Sequence, residues 1–164
     1  MLRNDQIESR WAALEQGGGL ISIRDPAVGE NLLDDSLPRP AWWRVTLKNG
    51  RSIANTDLPC TFTRNGNQLS LTWTGDIRVV VRARLNPTDP QLHSRIEVQA
   101  IAPSIGLRNV VFPVVDGMRP LSADPADDRL LHAFRTGYTE PTPLTTGKPV
   151  IMRYLIEYYM QFTA

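Results

Sequence analysis

The sequence predicts an all-β fold, an antiparallel β-sandwich built of short hairpins, and three observations predict it. Residues 68–85 alternate: Leu69, Leu71 and Trp73 fall on one side and Ser70, Thr72 and Thr74 on the other, then Ile77, Val79, Val81, Ala83 and Leu85 share a face opposite Arg78, Arg82 and Arg84. A period of two marks a pleated strand, whose successive side chains leave on opposite sides. Turn chemistry punctuates the runs, at Asn49-Gly50, Asn65-Gly66 and Gly75-Asp76, the residue pairs that reverse a chain within a hairpin. Two further runs, 92–101 and 107–115, continue the pattern, so 68–115 is the stretch around which the rest is arranged. Short strands at even spacing with turns between them mean a sandwich or barrel.

Taken in order, the first segment is ambiguous. Residues 5–16 fit a helix, with Asp5 and Glu8 as a capping box and Ile7, Trp11 and Leu14 on one face. They also fit a strand, with Ile7, Ser9, Trp11 and Ala13 inward and Glu8 and Arg10 outward. Gly17-Gly18-Gly19 then ends any regular element; a strand rather than a helix follows, so these glycines do not form a phosphate loop. Residues 20–24 read as a strand stopped by Asp25-Pro26, and 32–40 as a loop. Residues 42–48 read as a strand with Trp43, Val45 and Leu47 on its apolar side and Trp42, Arg44, Thr46 and Lys48 on the other. Asn49-Gly50 predicts a two-residue type I′ turn into a returning strand at 51–54. Residues 61–64 precede the Asn65-Gly66 turn. Residues 86–90 carry two prolines and form a loop, and Leu92, Ser94, Ile96, Val98 and Ala100 share one side of the next strand. Pro113 has no N–H for a sheet ladder and belongs at an edge, a bulge or a strand end. Beyond it lie an acidic turn (122–128), a short apolar run (128–134), an extended loop (136–149) and a last apolar, aromatic run that begins at Val150 and ends at Phe162.

At 164 residues the chain has the length of one domain, 1–164. A net charge of +1 gives no whole-molecule case for nucleic acid or an anionic membrane surface. Lys48 and Lys148 are the only lysines among 18 basic residues, and arginine has the planar fork that suits carboxylates. A single cysteine, Cys60, excludes an intramolecular disulfide. The charged opening, residues 1–10, lacks the apolar core of a secretory signal, and no apolar run reaches bilayer length. The expectation is a soluble chain, cytoplasmic by default, with no membrane partner.

Candidate contact residues come from the polar strand faces. Arg78, Arg82 and Arg84 share one face of their strand, and Arg95 with Glu97 falls on the same sheet face. Adjacent like charges cost stability unless something pairs them, so this row is either a solvated face or a basic surface for an acidic partner or carboxylated ligand. No aromatic row accompanies it, which argues against a nucleic-acid stacking platform. Trp42, with Arg44 beside it on the polar side, reads as a surface that stacks on a sugar ring, a peptide or another domain, or is covered by the loop before it. Asp116, Asp124, Asp127 and Asp128 match no calcium-loop spacing and read as turn residues. His93 and His132 have no neighbouring nucleophile motif and read as structural. No catalytic residue, metal site or cofactor is assigned.

Several short motifs, in order, carry a resemblance. They are Gly17-Gly-Gly-Leu-Ile-Ser-Ile-Arg-Asp-Pro-Ala-Val-Gly-Glu-Asn-Leu-Leu33, Trp42-Trp-Arg-Val-Thr-Leu47, Leu69-Ser-Leu-Thr-Trp73 and Asn109-Val-Val-Phe-Pro113 before Gly117. Met152-Arg-Tyr154 and Met160-Gln-Phe162 complete the set. Together they resemble galactose-mutarotase-like β-supersandwich domains, which sit N-terminal to the catalytic domain of large glycoside hydrolases. The resemblance implies a strand across residues 2–13. It also implies a chain shorter than a complete supersandwich, which is either truncated at its C-terminal end or completes its sheet by dimerising. Leu155-Ile-Glu-Tyr158 departs from the family, which has Pro and Gly after the position of Tyr154. The catalytic His pair and carboxylate of mutarotases find no counterpart. The implied role is a non-catalytic module giving structural support, or weak carbohydrate contact, beside a catalytic domain. Two alternatives are a small epimerase or mutarotase-like enzyme using His93 or His132 with an acid such as Glu97, and an interaction domain that dimerises through the segment from Val150 to Phe162.

Overall fold

The computed structural model describes residues 1–33, 41–88, 91–115, 117–119, 124, 129–132, 138–141 and 160–163. All its sheets are antiparallel, and the described residues fall into two compact units, 1–118 and 119–164.

The first unit contains three sheets. The largest is a four-stranded meander of β6 (Cys60–Asn65), β7 (Gln68–Thr74), β8 (Ile77–Leu85) and β9 (Leu92–Ala100), in that order. Its inner face is the apolar alternation read from the sequence: Ile77, Val79, Val81, Ala83 and Leu85 are at most 1% exposed, and Leu69, Leu71 and Trp73 lie beside them. Burying one such large aliphatic side chain stabilises the fold by about 1.5–3 kcal/mol. The second sheet is β10–β4–β5, with β4 (Arg44–Leu47) and β5 (Ser52–Ala54) as a hairpin and β10 (Leu107–Val111) on the other side of β4. The third is β1 (Leu2–Arg3), β2 (Glu8–Trp11) and β3 (Leu20–Arg24). Inner residues of all three sheets join one core cluster, which makes this unit a sandwich.

A tryptophan group holds the two larger sheets together. Trp43 before β4 meets Trp73 of β7 edge to face at 5.5 Å between ring centres. Trp42 lies 5.7 Å from Trp11, 6.3 Å from Trp73 and 5.9 Å from Phe112. One polar hub sits beside the rings. The fully buried Asn55 accepts the Trp42 N–H through Oδ1 at 2.7 Å and donates Nδ2 to the Gly17 carbonyl at 3.1 Å. The Trp73 indole N–H donates to the same carbonyl at 3.0 Å. Gly17 is suited to this place because its φ is +90° and a Cβ there would lie 2.9 Å from the Thr56 backbone.

The first segment resolves as strand, the state that the resemblance implies, with β1 and β2 separated by residues 4–7 and followed by a short 3-10 turn, Leu14–Gln16; the alternative helix and its Asp5–Glu8 capping box do not form. Other sequence expectations change. Within β2 Glu8 is buried rather than outward, because Arg10 reaches its carboxylate at 2.8 Å and Arg3 at 3.5 Å. Asn49-Gly50 does not form a two-residue turn. The β4–β5 register leaves Lys48-Asn49-Gly50 as a three-residue connection, closed by the Gly50 N–H to the Leu47 carbonyl, with Gly50 at φ +87°. The run at 107–115 does not extend the meander; it crosses to pair with β4 and carries a register shift between Leu107 and Asn109. Pro113 falls beyond the end of β10, as its missing donor requires.

The second unit holds one described sheet, ordered β12–β11–β13, from β11 (Arg129–His132), β12 (Tyr138–Pro141) and β13 (Met160–Thr163). A strand therefore occurs within the expected loop at 136–149. β13, at the end of the last apolar run, finds its neighbour in β11 of the same chain. Residues 34–40 of the expected loop at 32–40, Asp116, Asp127 and Asp128, and most of the proposed dimerising segment (150–159) lie outside the described residues.

Candidate functional site

The hairpin registers decide which polar side chains share a surface. Cross-strand partners leave a sheet on the same face, and the outer face of the β6–β9 sheet reads across in rows. Gln68 pairs with Arg84, and Arg84 with His93. In the next row Ser70 pairs with Arg82, and Arg82 with Arg95. Asn65 and Thr63 of β6 extend the two rows at the free edge. Neighbouring strands are about 4.8 Å apart, and alternate residues along one strand about 6.7 Å. The side chains of these two rows surround an open depression of about 530 Å³, within the usual size range of small-molecule sites.

The charges in it are unevenly paired. Arg82 and Arg95 stand directly opposite, a like-charge arrangement that destabilises a sheet. Glu97 relieves it: its carboxylate makes a short ion pair with the Arg82 guanidinium and lies 3.7 Å from Arg95. These groups are all substantially exposed, so solvent screens the pairing. Arg84 is one step further along, between Gln68 and His93, and no carboxylate among the described residues pairs with it. Arg78 shares the face but lies outside the depression, beyond the buried Val80.

The remaining assigned residues separate from this site. Trp42 is 1% exposed, so the sequence placement on an accessible polar face is corrected. It precedes the first paired residue of β4, where the pleat does not yet govern direction, and its ring enters the tryptophan group. Arg44 is exposed on the outer side of the β10–β4–β5 sheet, across the core from the arginine row. The structure thus brings together Arg82, Arg84 and Arg95 and leaves Trp42, Arg44 and Arg78 elsewhere.

His93 and Glu97 share a face of β9 but are four residues apart, about 13 Å at strand rise. That separation is too great for a direct acid–base pair. His132 lies in β11, in the other unit. Cys60 is a free thiol, and burial pushes its pKa up to about 11, which disfavours the reactive thiolate. Among the described residues no group of three or more His, Cys, Asp or Glu gathers as a metal site, and no helix is long and apolar enough to cross a membrane.

Sequence reading identified the arginines but missed Thr63, Asn65, Gln68 and Ser70, which supply the neutral half of the depression. The available signal was the register. Matching Leu71 to Val81 and Phe62 to Leu71 on the inner face places Ser70 opposite Arg82 and Thr63 opposite Ser70. No family model, curated relative or solved structure matches the chain, so the galactose-mutarotase-like resemblance rests on the sequence motifs alone.

Proposed function

We propose that this chain is a non-catalytic β-sandwich module of the kind that accompanies catalytic domains of carbohydrate-active enzymes. In this reading it contacts a saccharide through the outer face of the β6–β9 sheet. The observation that supports it is the open depression, in which hydroxyl and amide side chains stand beside arginines. Ser, Thr, Asn and Gln both donate and accept hydrogen bonds, as sugar hydroxyls require. The order of motifs from Gly17 to Phe162 supports the same reading. The contact residues are Thr63, Asn65, Gln68, Ser70, Arg82 and Arg84, with Trp42 withdrawn to the core.

An amide NMR titration with neutral and acidic oligosaccharides tests this. The expected outcome is a set of shifts confined to β6–β9 with at least one sugar. Shifts spread over the whole chain, or none with any sugar, reject the contact. A mutarotation assay on several aldoses is expected to show no rate above buffer, and a rate above buffer would replace this reading with the enzymatic one.

A further inference from the structure

Resting on that carbohydrate-contact reading, we infer that the saccharide is acidic, with a uronate-type carboxylate held by Arg84. Three observations carry this. First, the depression is rich in side chains that only donate: Arg82, Arg84 and Arg95 contribute guanidinium groups, which have no acceptor. A ligand made only of hydroxyls leaves much of that donor capacity unused, whereas a carboxylate is acceptor-only and matches the arginine fork in two parallel hydrogen bonds.

Second, the positive charge is divided. Glu97 already serves Arg82 and Arg95, while Arg84, one row away, has no carboxylate partner among the described residues. The anion's place is therefore at Arg84. Gln68 and His93 flank it on the adjoining strands.

Third, among the described residues no Phe, Tyr or Trp lines the depression. The flat apolar platform on which neutral sugar rings stack is absent there, which leaves polar and ionic contacts to supply recognition. Ser70 and Asn65 lie within about 10 Å of Arg84 and Thr63 about 12 Å away by strand and row spacing, where they meet the hydroxyls of the adjoining sugar units.

Glu97 acts against the ligand in this arrangement. Its charge opposes an incoming carboxylate and occupies the two arginines next to Arg84. The site thus predicts opposite effects for two exposed substitutions, neither of which touches the core.

The experiment uses the full chain and isothermal titration with trigalacturonate. The control is the same trisaccharide fully methyl-esterified, which keeps the sugar framework and removes the charge. The acid is expected to bind and the ester to bind much more weakly. Arg84→Ala is expected to weaken the acid roughly tenfold to a hundredfold, the factor carried by a hydrogen bond to a charged group. Glu97→Gln is expected to tighten it severalfold. Binding should weaken between 0.1 M and 1 M salt, where the screening length falls from about 10 Å to about 3 Å.

Equal binding of acid and ester, with Arg84→Ala unchanged, overturns the acidic assignment and leaves the carbohydrate reading standing. Binding of neither overturns both. A single-stranded oligonucleotide that binds Arg84 more tightly than trigalacturonate overturns the choice of a saccharide. Weaker or unchanged acid binding by Glu97→Gln overturns the divided role of the arginines.

Discussion

Asn55 shows how much one side chain decides. Its amide joins the Trp42 backbone to the Gly17 carbonyl with no exposure to water. Alanine there strands the buried Trp42 N–H, which costs about 1–3 kcal/mol, while the Gly17 carbonyl keeps the Trp73 indole as donor. Asn55→Ala is expected to lower stability by roughly 1–3 kcal/mol in urea unfolding; a loss below half a kcal/mol would show that the hub is dispensable. Cys60 sets a pH dependence. Its pKa is raised to about 11 from an ordinary 9.0 because burial disfavours the thiolate. The folded state therefore holds this proton more tightly than the unfolded state. The contribution is complete below about pH 9 and is lost as pH rises towards 11. Alkylation of the folded protein at pH 8 is expected to be much slower than that of the urea-unfolded chain; equal rates would contradict the burial. The role of Asn55 was not visible in advance, because it follows a strand without any motif. The lone Cys60, with no His at metal-ligand spacing, reads from the sequence as a small buried or half-buried residue rather than a nucleophile, and it is half-buried.

At the level of elements, alternation was legible wherever a strand has one wet face. The runs at 68–74 and 77–85 fold as read, because a one-residue slip would carry Arg78, Arg82 and Arg84 into the core. The turns were less legible. Gly75-Asp76 separates β7 from β8 as read, yet Thr74 pairs with Arg78, so Ile77 has no partner on β7. The apolar faces of β7 and β8 match only in that register, so face matching outranks local turn preference. Strand β8 is hydrogen-bonded on both sides and carries a fully buried face, whereas β10 is an edge strand with Val110 and Val111 exposed. Amide exchange is expected to be slowest in β8 and at least tenfold faster in β10, as local stability follows burial and pairing. Comparable protection in the two would show that the sheets open as one.

Across the whole molecule, the core cluster formed by the described residues lies within residues 1–118. A fragment ending at Met118 is expected to give a dispersed amide spectrum and one cooperative unfolding transition, since it keeps every strand of the three core sheets. A collapsed spectrum would mean that the core needs residues 119–164. The same fragment keeps the depression, so its sugar titration should reproduce that of the full chain. Net charge of +1 hides this surface. Four of the sixteen arginines, Arg78, Arg82, Arg84 and Arg95, share one outer sheet face, and a sum over the chain has no knowledge of faces.

Local pattern was sufficient for the all-β class, the strands of the meander and the face on which Arg78, Arg82, Arg84 and Arg95 stand. Those features follow from a period of two and from the cost of burying charge, both of which are written along the chain. Packing was needed for the rest. Trp42 goes inside because a cluster of rings from distant segments has room for it. Residues 107–111 leave the meander because β4 offers an open edge. Gln68 and Ser70 join the arginines through cross-strand register. Each of these is a meeting of residues far apart in sequence, and such meetings are set by the free energy of the assembled core rather than by any neighbour along the chain.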